Sequence, residues 1–362
     1  MYLENYFRCL DPRCQMSSFR AERHSVVLFI LVHCAKLVLK AVQSTNASNV
    51  SIFINPYENI EGIYGSEQIS RYLTNESIVE KLPPHIYATA NDALNKLKLF
   101  KRKQSILLTG VSGSGKTQNC ENIVDFLCQE SNSKNVVDIF FNEEMQQTGG
   151  KISYHLLEAH RTCGTNPNES NFHVFYTLLH GLSTNLLNNI CLDKTTHYRY
   201  LPDRDLIFKT NDNTCLDTNF NLLEKNLSKL GFTMNDKKNI YSVLSAILNL
   251  GNVEYEKISS DESCSIKIES RKYLCSAAAL LNINEVELEE VLTSHTREVC
   301  GQRIISPLSK TAAENTKDGL AKLVYEKLFG QIMQFINNHL FQSSSSNHSI
   351  GILDIAGFEH IP

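Results

Sequence analysis

No C-x-x-C pair occurs among the eleven cysteines of this 362-residue chain, and none stands with histidine at zinc-finger spacing. Cys9 and Cys14 are the closest pair in the N-terminal part. An odd, scattered set of thiols argues against a disulfide framework and against a zinc module, and reads as reduced cytosolic cysteine. The sequon at Asn75–Ser77 is then a chance match. A basic excess is also missing. There are 35 Lys/Arg against 39 Asp/Glu, a formal net charge of −4, so the chain carries no electrostatic footprint for nucleic acid. Residues 1–50 hold six Lys/Arg against three Asp/Glu, which reads as a solvated surface. No apolar run reaches membrane-spanning length. The nearest, residues 25–34 (SVVLFILVHC), is too short, is followed by Lys36 and Lys40, and has no small-residue cleavage site close behind it. It predicts a packed or amphipathic helix rather than a membrane or signal segment. No internal repeat appears at solenoid periods.

The composition is that of a globular protein, 42% hydrophobic and 20% charged, long enough for one large domain or for two or three. Residues 49–54 are β-prone and break at Asn55-Pro56. Residues 85–101 keep helical spacing through Ile86, Ala90, Ala93, Leu94 and Leu97. Residues 136–141 predict a strand, with Gly149-Gly150 separating it from a second segment, 151–158, in a hairpin. Helices are predicted over 171–182, 235–250, 270–281, 284–294 and about 312–341. The last shows Leu320, Leu323, Leu328, Ile332 and Phe335 near one face.

The chemistry is concentrated in two stretches. Residues 106–127 run ILLTGVSGSGKTQNCENIVDFL, an apolar strand, then G-x-x-x-x-G-K-T, then a helical pattern. That is the phosphate-binding loop in the strand–loop–helix setting it requires. Gly110, Val111, Ser112, Gly113, Ser114 and Gly115 place backbone N–H groups around phosphate oxygens. Lys116 reaches the outer phosphates, and the Thr117 hydroxyl serves Mg²⁺. At the other end, the apolar strand 349–353 closes on Asp354-Ile355-Ala356-Gly357-Phe358-Glu359. Strands often end in Asp, but beside a full phosphate loop on the same chain this reads as a Walker-B element, and the D-x-x-G spacing lets the Gly357 amide meet a γ-phosphate.

Together these residues resemble a myosin motor domain, and within the myosins most closely class VI. GVSGSGKT (110–117) is similar to the family's GESGAGKT, with Val111 where glutamate is usual. DIAGFE (354–359) is similar to switch II. HLLEAHR (155–161), NFHVFY (171–176), YRYL (198–201) and ILNLGNVEY (247–255) follow in the family's order. NPYENIEGIY (55–64) is similar to the adenine-side loop. The resemblance covers residues 49–361 and implies an α/β P-loop NTPase core with a mostly helical insertion, present in part. Residues 1–48 are a segment outside it. Residues 49–160 would be the nucleotide-binding core, 161–342 the helical upper subdomain, and 343–362 the switch II strand and loop.

The resemblance also implies roles. Asn55 and Tyr64 would lie by the adenine, although Tyr64 reads equally as a packed aromatic. Gly110–Thr117 would hold ATP, with Thr117 and Asp354 at Mg²⁺. Lys116, Asp354, Gly357 and Glu359 would act in hydrolysis. His85, His155 and His173 read as structural, since nothing pairs them with a metal or nucleophile. Actin is the implied partner, with neither nucleic acid nor membrane span, and the cytoplasm and cytoskeleton the implied location.

One family element is missing. Lys116 and Val136 are twenty positions apart, and no N-x-x-S-S-R-F switch I pattern lies between them. Switch I supplies a metal-binding serine, the groups that position water and the arginine paired with the switch II glutamate. Such positioning is most of phosphoryl-transfer catalysis. The sequence thus predicts Mg·ATP binding with impaired hydrolysis, or alternatively a non-catalytic nucleotide- or partner-binding fragment. The relay helix, main actin-binding subdomain, converter and light-chain-binding lever would lie beyond Pro362. The central sheet is then expected to lack strands contributed by later sequence. An incomplete transcript of a working motor fits the same junctions.

Overall fold

A computed structural model of the chain describes residues 25–32, 44–47, 50–55, 62–73, 82–110, 114–128, 138–154, 157–164, 170–201, 213–258, 263–299, 302–340 and 348–354. In chain order the strands are β1 (Ser25–Val32), β2 (Ser44–Ala47), β3 (Val50–Ile54), β4 (Gln104–Gly110), β5 (Asp138–Phe141), β6 (Gln147–Lys151), β7 (Tyr255–Lys257), β8 (Cys264–Ile266), β9 (Ser294–Val299), β10 (Gln302–Pro307) and β11 (His348–Asp354). The helices are α1 (Ser66–Tyr72), α2 (Ile86–Phe100), α3 (Lys116–Leu127), α4 (His173–Gly181) and α5 (Thr184–Asn189). They continue with α6 (Asn213–Lys229), α7 (Met234–Gly251), α8 (Arg271–Leu281), α9 (Glu285–Thr293) and α10 (Lys310–Leu340). None of the described helices is long and apolar enough to cross a membrane. The chain divides into two compact units, one of residues 1–153 with 340–362, the other of 154–339.

The first unit is built on a seven-stranded sheet in the order β2-β3-β1-β4-β11-β5-β6. β1, β3, β4 and β11 run parallel, while β2, β5 and β6 are antiparallel to their neighbours. Ile106 and Leu108 of β4 and Ile350 and Ile352 of β11 are wholly or almost wholly buried, the alternation of strands covered on a packed face. α2 and α3 supply the other side of this core through Ile86, Tyr87, Ala90, Leu97, Ile123, Val124 and Phe126.

Two expectations fail here. Residues 25–32 form an interior strand of the sheet, where a helix was predicted. A short apolar run without alternation is what a parallel strand with neighbours on both sides looks like, and periodicity alone does not separate it from a buried helix. The second hairpin strand is Gln147–Lys151, not 151–158, so Gly149-Gly150 lie inside it. The turn is made instead at Asn142, whose Oδ1 accepts from the Gln146 amide at 2.8 Å. Gly149, at φ 154°, sits beside a register shift between Phe140 and Phe141, so the glycines mark a bulge.

The second unit is mainly helical, with two small hairpins, β7–β8 and β9–β10. Its larger core gathers Phe175, Tyr176, Leu179, Tyr198, Leu201, Leu244, Ile247 and Tyr325. A smaller one gathers Leu250, Tyr255, Leu274, Leu288, Leu292 and Ala313. α7 begins on a reciprocal cap: the Thr233 hydroxyl accepts from the Asp236 amide, and the Asp236 carboxylate accepts from the Thr233 amide.

Candidate nucleotide-binding site

Parallel strands deliver their C-terminal ends to one edge of the sheet, and the site lies there. β4 ends at Gly110 and β11 ends at Asp354, with Asp354 opposite Leu108 in the ladder. α3 begins at Lys116 behind Gly115, which takes φ 90° as the N-cap. That left-handed backbone favours glycine over any residue with a Cβ. No side chain caps α3, and its first turn holds no acidic residue. Its N-terminal amides and the positive end of its dipole are therefore left without a capping side chain or carboxylate of the helix's own.

Four side chains lie at this edge. Lys116, 8% exposed, donates from Nζ to the Gly110 carbonyl at 3.0 Å. The Thr117 hydroxyl donates to Asp354 Oδ2 at 2.8 Å, across 237 positions of sequence. Ser114 is 1% exposed, and its hydroxyl has no hydrogen-bond partner among the described residues. A buried hydroxyl without a partner is costly. Ser114 immediately precedes Gly115, the N-cap of a helix that no side chain caps, where a phosphate oxygen would satisfy its hydroxyl. A hydroxyl and a carboxylate in contact are the hard oxygen donors that Mg²⁺ takes. The residues present thus fit a nucleotide phosphate with a divalent cation.

Asn55, directly after β3, reaches the same place. Its Nδ2 lies 3.6 Å from where a Cβ on Gly115 would stand, and Asn119 Nδ2 lies 3.8 Å from that point. Asn119 also donates to the Gly115 carbonyl at 3.0 Å, while its Oδ1 is buried with no partner among the described residues. Sequence reasoning passed over Asn119. The available signal was an asparagine about one turn beyond Lys116, on the same buried face of the helix. Cys120 is beside the site but inert, since burial, helped by the Asp354 and Glu121 carboxylates, pushes its thiol up to about 12.

Tyr64 is 45% exposed and belongs to an aromatic cluster. Its ring lies 5.6 Å from that of His85 and 6.1 Å from that of Tyr87. Tyr72 stacks on His85 at 4.9 Å. His85 caps α2, accepting from the Tyr87 amide at Nδ1, while its Nε2 meets the Ile63 carbonyl at 3.1 Å. Val111, Ser112, Gly113, His155, Gly357 and Glu359 lie outside the described residues.

The His85 geometry has a pH consequence. Burial lowers the imidazole from 6.5 to about 4, only partly opposed by the Ile63 carbonyl. Between those values the unfolded chain takes up a proton that the folded chain refuses. Stability from this group is complete above pH 6.5 and is lost as pH falls toward 4, by up to about 3 kcal/mol. His85→Asn, which retains a capping side chain, is expected to show a shallower loss between pH 6.5 and 4 in urea titrations. An equal or steeper loss would contradict the assignment.

This geometry can be set against known proteins. The family model for the myosin head (motor domain) matches residues 39–138 and 131–362. The two matches meet in the stretch where the switch I pattern is missing. Myosin heavy chain 95F of Drosophila melanogaster is 31% identical over 379 residues, covering 87% of this chain and 30% of that protein. Unconventional myosin-VI of Bos taurus is 29% identical over 378 residues, with 87% and 29% coverage. Unconventional myosin heavy chain 6 of Caenorhabditis elegans is 29% identical over 386 residues, with 97% and 18% coverage. The chain belongs to the myosin head family and so has a mixed α/β P-loop NTPase fold. It is part of a motor domain, with relatives in class VI among others, and spans at most about a third of the length of the curated relatives it matches.

Proposed function

We propose that this chain is the nucleotide-binding part of a myosin-type motor, that it binds Mg·ATP, and that it hydrolyses ATP poorly. The observation that carries the reading is the contact between Thr117 and Asp354 beside Lys116. In this proposal Gly110–Thr117 wrap the phosphates, Lys116 neutralises the outer ones, and Asn55 and Tyr64 lie on the base side. Thr117 and Asp354 hold Mg²⁺, which when bound draws charge from the phosphate oxygens. Gly357 and Glu359 are assigned to switch II. Residues 49–160 and 343–362 form the nucleotide core and 161–342 a helical upper subdomain. Actin, and a place in the cytoskeleton, come from the family.

The missing switch I pattern favours a second reading, a nucleotide- or partner-binding chain without turnover. Loss of an arginine in that role costs about three to five orders of magnitude in related nucleotidases. A Mg·ATP titration run beside a single-turnover hydrolysis assay separates the two. We expect saturable binding, with turnover at least about a thousandfold below that of an intact family member. Actin-stimulated turnover would overturn the impaired reading, and no binding would overturn it too, leaving only a partner-binding chain.

A further inference from the structure

β1 arises ahead of the family-model match, which begins at residue 39, yet it lies inside the sheet between β3 and β4. Leu28–Val32 pair with Val50–Ile54 of β3 on one side. Ser25–Leu31 pair with Gln104–Gly110 of β4 on the other. All three strands are parallel, so Val32, Ile54 and Gly110 arrive at the same edge. The two registers fix levels across the sheet. Leu31 is opposite both Phe53 and Gly110, which puts Asn55 two residues beyond the level at which the phosphate loop begins.

We propose that β1 is the spacer strand of the nucleotide site, setting the separation between the base side, which follows β3, and the phosphate side, which follows β4. The proposal rests on the nucleotide reading above. Adjacent strands lie about 4.8 Å apart, so β1 holds β3 and β4 about 9.6 Å apart. Without it the two would face each other with unpaired amides and carbonyls. If they closed together, Asn55 would shift by about one strand spacing relative to Gly115. That exceeds the whole distance window of a hydrogen bond. β1 is thus a positioning element: it acts through Asn55 and the loop without touching the ligand.

The test has a structural arm and a ligand arm, both on the full chain. Hydrogen exchange without nucleotide should show residues 25–32 protected together with 104–110. Free exchange at 25–32 beside a protected 104–110 would overturn the proposal, whether or not nucleotide binds. In the ligand arm, Mg·ATP is compared with Mg·tripolyphosphate, which lacks the base side. Ile30→Pro removes one ladder amide, and it should weaken ATP at least tenfold while changing tripolyphosphate less than threefold. A synthetic peptide of residues 25–32 should restore ATP, and Ile30→Val should bind both as the parent does. Asn55→Ala should reproduce the selective loss without disturbing the sheet. Should Ile30→Pro fail to fold, an unchanged ATP affinity in Asn55→Ala would still overturn the proposal. Should the parent bind neither ligand, the nucleotide reading fails while the exchange arm still decides the placement of β1.

Discussion

Lys116→Ala is expected to lower Mg·ATP affinity by about ten- to a hundredfold, while the thermal midpoint stays within a few degrees of the parent. A charge-assisted hydrogen bond contributes about 1.5–3 kcal/mol, and about 2.7 kcal/mol corresponds to a hundredfold change in affinity. The ammonium is buried and aimed at the loop by the Gly110 carbonyl, so little reorganisation opposes its use. Its removal deprives that carbonyl of one donor, a cost of about 1 kcal/mol, which keeps the effect on folding small. Thr117→Ala and Asp354→Asn should behave differently, because their oxygens are assigned to the cation. They are expected to weaken nucleotide binding in Mg²⁺ and to leave the much weaker binding in EDTA unchanged. Lys116→Ala should lose affinity in both conditions. Calorimetric titrations of the three variants with and without Mg²⁺ check this. Parent-like affinity in Lys116→Ala would sink the phosphate assignment, and equal losses by all three in EDTA would sink the division of labour.

Much of that site is legible in the sequence because it is local. A strand, a glycine loop and a helix that are consecutive in the chain must also be adjacent in space, so Gly110–Thr117 needed no tertiary information. Asp354 was legible as the polar end of an apolar strand, but its contact with Thr117 joins residues 237 positions apart. No periodicity encodes that; the pairing of a phosphate loop with a Walker-B strand end implied it, and the resemblance to myosins implied it again. β1 was misread because an unbroken apolar run fits a buried helix and a buried strand equally well. Only its pairing partners decide, and they lie in other parts of the sequence. The hairpin turn was misplaced because Gly-Gly is a stronger turn signal than Asn142, although the fold uses those glycines for a bulge. In α10 the helix itself was legible, but not its whole buried face. Leu323 is 49% exposed and Phe335 38%, while Lys317 is 1% exposed. Lys317 goes inside because its ammonium donates to the Gly251 and Val253 carbonyls, which no count of apolar residues reveals.

A polar hub of the same kind sets the second large effect. Asn171→Ala is expected to destabilise the protein by about 3–5 kcal/mol, a sum over the groups it leaves unpaired. Asn171 is 2% exposed. Its Nδ2 donates to the Thr162 carbonyl at 3.0 Å and to the Tyr200 carbonyl at 2.8 Å. Its Oδ1 accepts from the Phe172 amide at 2.7 Å as α4 begins. Truncation strips partners from two carbonyls and one amide at once, in a space too tightly packed for water to replace a side chain freely. Asn171→Asp should not rescue it, because the carboxylate keeps the acceptor but loses both donated bonds and buries a charge. The exposed pair Lys267–Glu254, 2.7 Å apart, provides the contrast. Its members lie in solvent, so Lys267→Gln should leave the urea midpoint close to the parent's. If Asn171→Ala and Lys267→Gln shift that midpoint equally, the hub does not hold the start of α4 to the segments around Thr162 and Tyr200. A large loss in Asn171→Ala alone would place the second unit's stability on buried polar pairing as well as on its apolar core.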